Sequence, residues 1–87
     1  MHSRLLASDA LGIFLLNGYG LTNKSREARF LHRVKILKPG EVLRLFIDKN
    51  PHNLIRLLVI RYGSKFIFQY LKNQDGAVVI DFKRIND

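Results

Sequence analysis

The stretch Thr22-Asn23-Lys24-Ser25-Arg26 gathers the residue types best suited to holding an anion. It follows an apolar run, Ile13 to Leu16, and a glycine-rich turn, Asn17-Gly18-Tyr19-Gly20, and it opens a basic amphipathic segment. A helix start has backbone N–H groups without intrahelical partners and carries the positive end of the helix dipole, so phosphate or carboxylate is attracted to it. Lys24, Ser25 and Arg26 would add side-chain donors, and Arg29 and Arg33 carry the positive stripe further along the helix. Six Lys or Arg stand between residues 22 and 38 against the single Glu27. Lys24 and Arg26 lie where the dipole disfavours cations, an anomaly that a bound anion would offset. The plainer alternative is a solvated basic helix start.

The neighbouring spacings point to less. Gly18 followed by Asn23-Lys24-Ser25 is one residue from the phosphate loop GxxxxGK[ST], and Gly18-x-Gly20-x-x-Asn23 half-matches a dinucleotide fingerprint. Asn23 replaces the final glycine of each pattern and limits the approach of backbone to phosphate. With no convincing metal-binding Asp downstream, a nucleotide-hydrolysing site and a bound cofactor are not expected. His2, His32 and His52 show no ligand spacing, so no metal site is expected. The chain has no cysteine, which excludes disulfides, zinc thiolates, iron–sulfur ligation and thiol chemistry. Asp9, Asp48, Asp75, Asp81 and Asp87 read as turn, cap or surface residues. No Ser-His-Asp set and no acid–base carboxylate pair emerges, so no catalytic residue is assigned and the chain reads as a non-enzyme.

Fifteen Lys and Arg against seven Asp and Glu give the 87 residues a net charge of +8. That balance favours an acidic partner, whether RNA, DNA or protein, over the bland reading of a soluble basic domain. No apolar stretch approaches the roughly 20 residues that span a bilayer, so no membrane partner is expected. Leu5 to Leu16 is short and interrupted by Asp9, has one Arg ahead of it and lacks a clear small-residue cleavage site. It is not read as a signal peptide. The missing cysteines favour a cytoplasmic location.

The positioning elements follow from pattern. Residues 1–12 read as a lead-in, with Ser3 to Ser8 a short edge strand or loose arm, and residues 13–87 as a single domain. Ile13 to Leu16 predicts a strand buried on both faces. A helix is expected from Lys24 to Leu37, capped by Thr22 or Asn23, with Phe30, Leu31, Val34 and Leu37 on its core side. Pro39-Gly40 ends it, and Glu41 to Ile47 alternates as a strand, with Leu43 and Leu45 on one side and Val42, Arg44 and Phe46 on the other. Asn50 is expected to cap a second helix with Pro51 at its first position and Gly63 at its end. Lys65 to Leu71 and Ala77 to Lys83 make a hairpin through Asp75-Gly76. The order βαβαββ predicts an α+β, two-layer sandwich, with both helices on one face of a four-stranded mixed sheet. The other face, with Val42, Phe46 and Val79, could bury itself in a homodimer. Phe66 and Phe68 read as core or dimer contacts, with a base-stacking platform on the open face the alternative.

Several of these residues together resemble the TusA/SirA-like sulfur-carrier family over roughly residues 13 to 84. Leu16-Asn17-Gly18-Tyr19-Gly20-Leu21 takes the place of the family's L-D-x-x-G-L. Leu37-Lys38-Pro39-Gly40-Glu41-Val42-Leu43 matches L-x-P-G-E-x-L, and Asp48-Lys49-Asn50-Pro51 resembles the entry to helix two with one inserted residue. The departures are decisive for function. Asn17 replaces the family's Asp, and Asn23-Lys24-Ser25-Arg26 occupies its C-P-x-P motif, so Asn23 stands at the position of the persulfide-bearing cysteine. Sulfur carriage by that mechanism is therefore excluded. The expectation is a non-enzymatic binding module on a TusA-like scaffold, contacting an acidic partner through Lys24, Ser25, Arg26, Arg29 and Arg33. The alternatives are a cysteine-less interaction subunit of a sulfur-relay or redox assembly, and a small phosphate- or cofactor-binding domain.

Overall fold

Strand β1, Gly12–Asn17, leads through the Gly18–Gly20 turn into helix α1, Asn23–Ile36. Strand β2, Glu41–Ile47, then leads into helix α2, His52–Tyr62, and the chain closes with strands β3, Phe66–Gln74, and β4, Ala77–Arg84. This computed structural model describes residues 11–87; the expected arm or edge strand at Ser3 to Ser8 lies outside them. The strands form one mixed sheet in the order β1-β2-β4-β3, with β1 parallel to β2 and the β4 pairings antiparallel. The α+β architecture with element order βαβαββ is the one the patterning predicts.

Period two sorts the sheet. Leu43, Leu45 and Ile47 of β2 and Val78, Ile80 and Phe82 of β4 turn one way and meet Phe30, Val34 and Leu37 of α1 and Leu54 and Leu58 of α2 in a single core. Phe30 packs edge-on against Phe82 with ring centroids 5.1 Å apart. The aromatics of β3 lie on this same side. Phe68 and Tyr70 stand opposite Phe82 and Ile80, and Phe66 is buried. A base-stacking platform on the far face is therefore ruled out for these three rings, because their register places them on the helix side of the sheet; Phe66 and Tyr70 pack into the core there, whereas Phe68, expected in the core, is 42% exposed.

The far face is less open than expected. Val42 is fully buried there, and Phe46 and Val79 are half-buried. At its centre Arg44 Nε and Nη2 donate to Asp81 Oδ1 and Oδ2 at 2.8 and 3.1 Å. Asp81 is 0% exposed, which corrects its reading as a turn, cap or surface residue. Its neighbours Ile80 and Phe82 face the core, so alternation directs Asp81 to the opposite face, where β2 brings Arg44 directly across.

The element ends are mostly those expected. Thr22 Oγ1 accepts from the Ser25 N–H at 3.1 Å and caps α1, and Gly63, at φ 55°, closes α2 by donating to the Val59 carbonyl. The start of α2 differs. Pro51 occupies the cap position without a side-chain bond, and Asn50 Oδ1 instead accepts from the Tyr70 hydroxyl at 2.6 Å. The long reach of Tyr70 from β3 takes the oxygen that would otherwise serve the helix.

Candidate functional site

Because β1 and β2 are adjacent and parallel, the helices that follow them both begin at the same edge of the sheet. Ligands of open α/β sheets sit at such an edge, outside the carboxyl ends of parallel strands. Here a groove of about 390 Å³ separates the two helix starts. Asn23, Arg26 and Glu27 line it from α1, Lys49 and Asn50 from the β2–α2 connection, and His52 from the start of α2.

Three long-range bonds fix this edge. Gly18 N–H donates to the Phe46 carbonyl at 2.6 Å, carrying the β1–β2 pairing past the end of the strand. A Cβ on Gly18 would stand 3.1 Å from that same oxygen, so a side chain there would push the Phe46 carbonyl back by a few tenths of an ångström, while Gly20, at φ 74°, supplies the left-handed residue. The Tyr19 hydroxyl donates to the Gly76 carbonyl at 2.8 Å, and Gly76 N–H donates to the Asp48 carbonyl at 2.9 Å. The β1–α1 turn, the end of β2 and the β3–β4 hairpin are thereby tied together.

The five anticipated contact residues do not behave alike. Arg26 is half-buried and turned back on the glycine-rich turn. Its Nε donates to the Gly18 carbonyl at 3.0 Å, its Nη2 to the Leu21 carbonyl at 3.2 Å and its Nη1 to Asn23 Oδ1 at 3.4 Å. Three oxygens around one guanidinium explain how a cation is tolerated at the positive end of the helix dipole. Ser25 is exposed, with its N–H held by the Thr22 cap. Asn23 is the first residue of α1 and is exposed.

Lys24 and Arg29 are exposed and Arg33 half-exposed. Among the described residues the one ion pair is Arg44 with Asp81, so these three cations are not neutralised by any described carboxylate. Lys24, Lys35, His32, Arg29 and Arg33 are spread over about half the circumference of α1, the half turned away from Phe30 and Val34. The positive surface is thus an outer helix face with two flanks rather than one narrow stripe.

Sequence reasoning missed Lys49 and His52 as neighbours of the α1 start, since only the parallel pairing of β1 and β2 brings the two loops together. Among the described residues no group of three His, Asp or Glu side chains is placed to hold a metal. No described helix is long and apolar enough to cross a membrane.

A sequence profile described as an uncharacterized conserved protein, DUF2249, matches residues 19–84. The chain belongs to the DUF2249 family. That match takes in α1, α2, β2, β3, β4 and the second half of the glycine-rich turn, so the groove and the basic helix face both lie within the DUF2249 segment. No curated protein and no solved structure matches the chain.

Proposed function

We propose that this DUF2249 protein is a non-enzymatic binding module that takes an acidic partner on the outer face of α1. The observation that carries the reading is the separation of the helix cations into two classes. Arg26 is engaged with the turn, whereas Lys24, Arg29 and Arg33 lie exposed or half-exposed without a described carboxylate. A net charge of +8 draws an anionic surface from a distance, and arginine forks then bond phosphate or carboxylate at short range. The resemblance to sulfur carriers supports a scaffold that docks onto other macromolecules, with Asn23 in place of the cysteine removing transfer chemistry. A cysteine-less interaction subunit of a sulfur-relay or redox assembly is one form such a module could take. Titration of fluorescent RNA, DNA and polyglutamate at low salt tests the proposal. Binding of at least one polyanion, weakening steeply with added salt, is expected; no binding of any of them would overturn it.

The groove favours a second reading, a small phosphate-binding domain. Two helix starts and Lys49 face one cavity of about 390 Å³. Inorganic phosphate added to isotope-labelled protein should then shift the amide resonances of Lys24 and Asn53 together. Unmoved amides at millimolar phosphate would eliminate this reading.

A further inference from the structure

The two edges of the sheet are built differently. The β3 edge carries Lys72 within it and Lys65 immediately before it, and its pairing with β4 is interrupted by an irregularity between Tyr70 and Lys72. Charge and bulges are the usual means of keeping an edge strand from recruiting another chain. The β1 edge has neither. Gly12-Ile13-Phe14-Leu15-Leu16-Asn17 contains no charge and no proline, and its six pairings with β2 run in unbroken register. Among the described residues nothing pairs with its outer side. Leu15 is 61% exposed, and Ile13 and Phe14 are 41% and 40% exposed.

Beside this edge lies a small apolar notch. Phe14 of β1 faces Ile36 and Leu37 of α1 around a space of about 60 Å³, room for a single small side chain. Arg33 lines the same notch and Arg29 is one turn earlier on the helix. Glu41 also borders it, but its Oε1 already accepts from the Lys38 N–H at 2.8 Å.

We infer that β1 receives an extended acidic segment of another protein as a fifth strand. The ladder would supply main-chain hydrogen bonds. Alternate side chains of the segment would meet Ile13 and Leu15 on one face, where apolar residues fit, and Arg29 and Arg33 on the other, where Glu or Asp fits. A nucleic acid has no amide backbone to extend the sheet and gains nothing from Leu15 or Ile13. A second copy of this chain would bring two +8 molecules and two sets of helix arginines together. The inference rests on the reading of α1 as the face for an acidic partner and names that partner's class.

The test uses the whole chain and a labelled peptide alternating Glu and Val, of about six residues. Anisotropy should show binding that falls roughly tenfold or more when alternate peptide nitrogens are methylated, since only strand pairing uses those N–H groups. Leu15→Lys should weaken the peptide and not polyglutamate, whereas charge alone would tighten both. Equal binding of parent and methylated peptides, or a Leu15→Lys protein that binds the peptide as well as or better than wild type, overturns the inference. So does a dimer in sedimentation that Leu15→Lys dissociates. If polyglutamate, RNA or DNA binds and the peptide shows no edge dependence, only this inference fails; if none of the polyanions and no peptide binds at low salt, the acidic-partner reading fails with it.

Discussion

Arg26 Nε donates to the Gly18 carbonyl at 3.0 Å, closing the glycine-rich turn onto the helix that follows it. Further bonds to Leu21 and Asn23 make the guanidinium a structural clamp on the β1–α1 connection. Arg26→Ala should therefore lower the unfolding free energy by about 1–2 kcal/mol in urea titrations, the effect of losing charge-assisted bonds that solvent partly replaces. Arg26→Lys should recover little of it, because an ammonium cannot reproduce the planar fork.

Tyr19 reaches across the same edge to Gly76. Its hydroxyl is the only part that Tyr19→Phe removes, and the bond is exposed to water. A loss of about 0.5–1 kcal/mol is expected. Hydrogen exchange should show the opening concentrated in the β3–β4 hairpin, where the Gly76 N–H holds the Asp48 carbonyl.

The Arg44–Asp81 pair predicts an asymmetry. Asp81 is 0% exposed and the Arg44 side chain 25% exposed. Arg44→Met leaves a buried carboxylate without its partner and should cost about 3 kcal/mol or more. Asp81→Asn leaves a guanidinium that can turn toward water and should cost less. The hydrogen bond to Asp81 and the attraction of its charge raise the Arg44 pKa above its ordinary value, outweighing desolvation. A raised cation pKa contributes stability that is complete below the unfolded pKa and is lost only as pH rises through the folded one. The unfolded value is arginine's ordinary one and the folded value lies above it, so neither is reached and the Arg44 contribution should stay flat from neutral pH to about pH 10. Urea midpoints of wild type and Arg44→Met across that window check this.

The fold was legible because local signals agreed with one another. Thr22 capped where a cap was expected, Gly63 ended α2, and the alternation in Glu41 to Ile47 placed the core side of β2 correctly. One misreading concerns β1: its continuous apolar run was expected to be buried on both faces, but β1 ends the sheet order and Ile13, Phe14 and Leu15 are 41%, 40% and 61% exposed. The others concern partners remote in sequence. Asp81 acquires Arg44 from a strand 37 positions away, and Asn50 loses its capping role to Tyr70, 20 positions away. Arg26 was recognised as an anomaly at a helix start, but the oxygens that satisfy it belong to a turn whose curvature composition alone does not specify. The aromatic run of β3 announced a strand, while its facing depended on the register with β4.

The separation of the helix cations into engaged and available ones is the centre of the functional account, and paired variants test it directly. Arg29→Ala with Arg33→Ala should leave the urea midpoint near wild type. The slope of log affinity for RNA, DNA or polyglutamate against log salt should become shallower by about one to two units. Arg26→Ala should show the reverse, lower stability with a nearly unchanged slope. A double variant that binds every polyanion with the wild-type slope, or an Arg26→Ala protein that alone loses binding at full stability, would contradict the account.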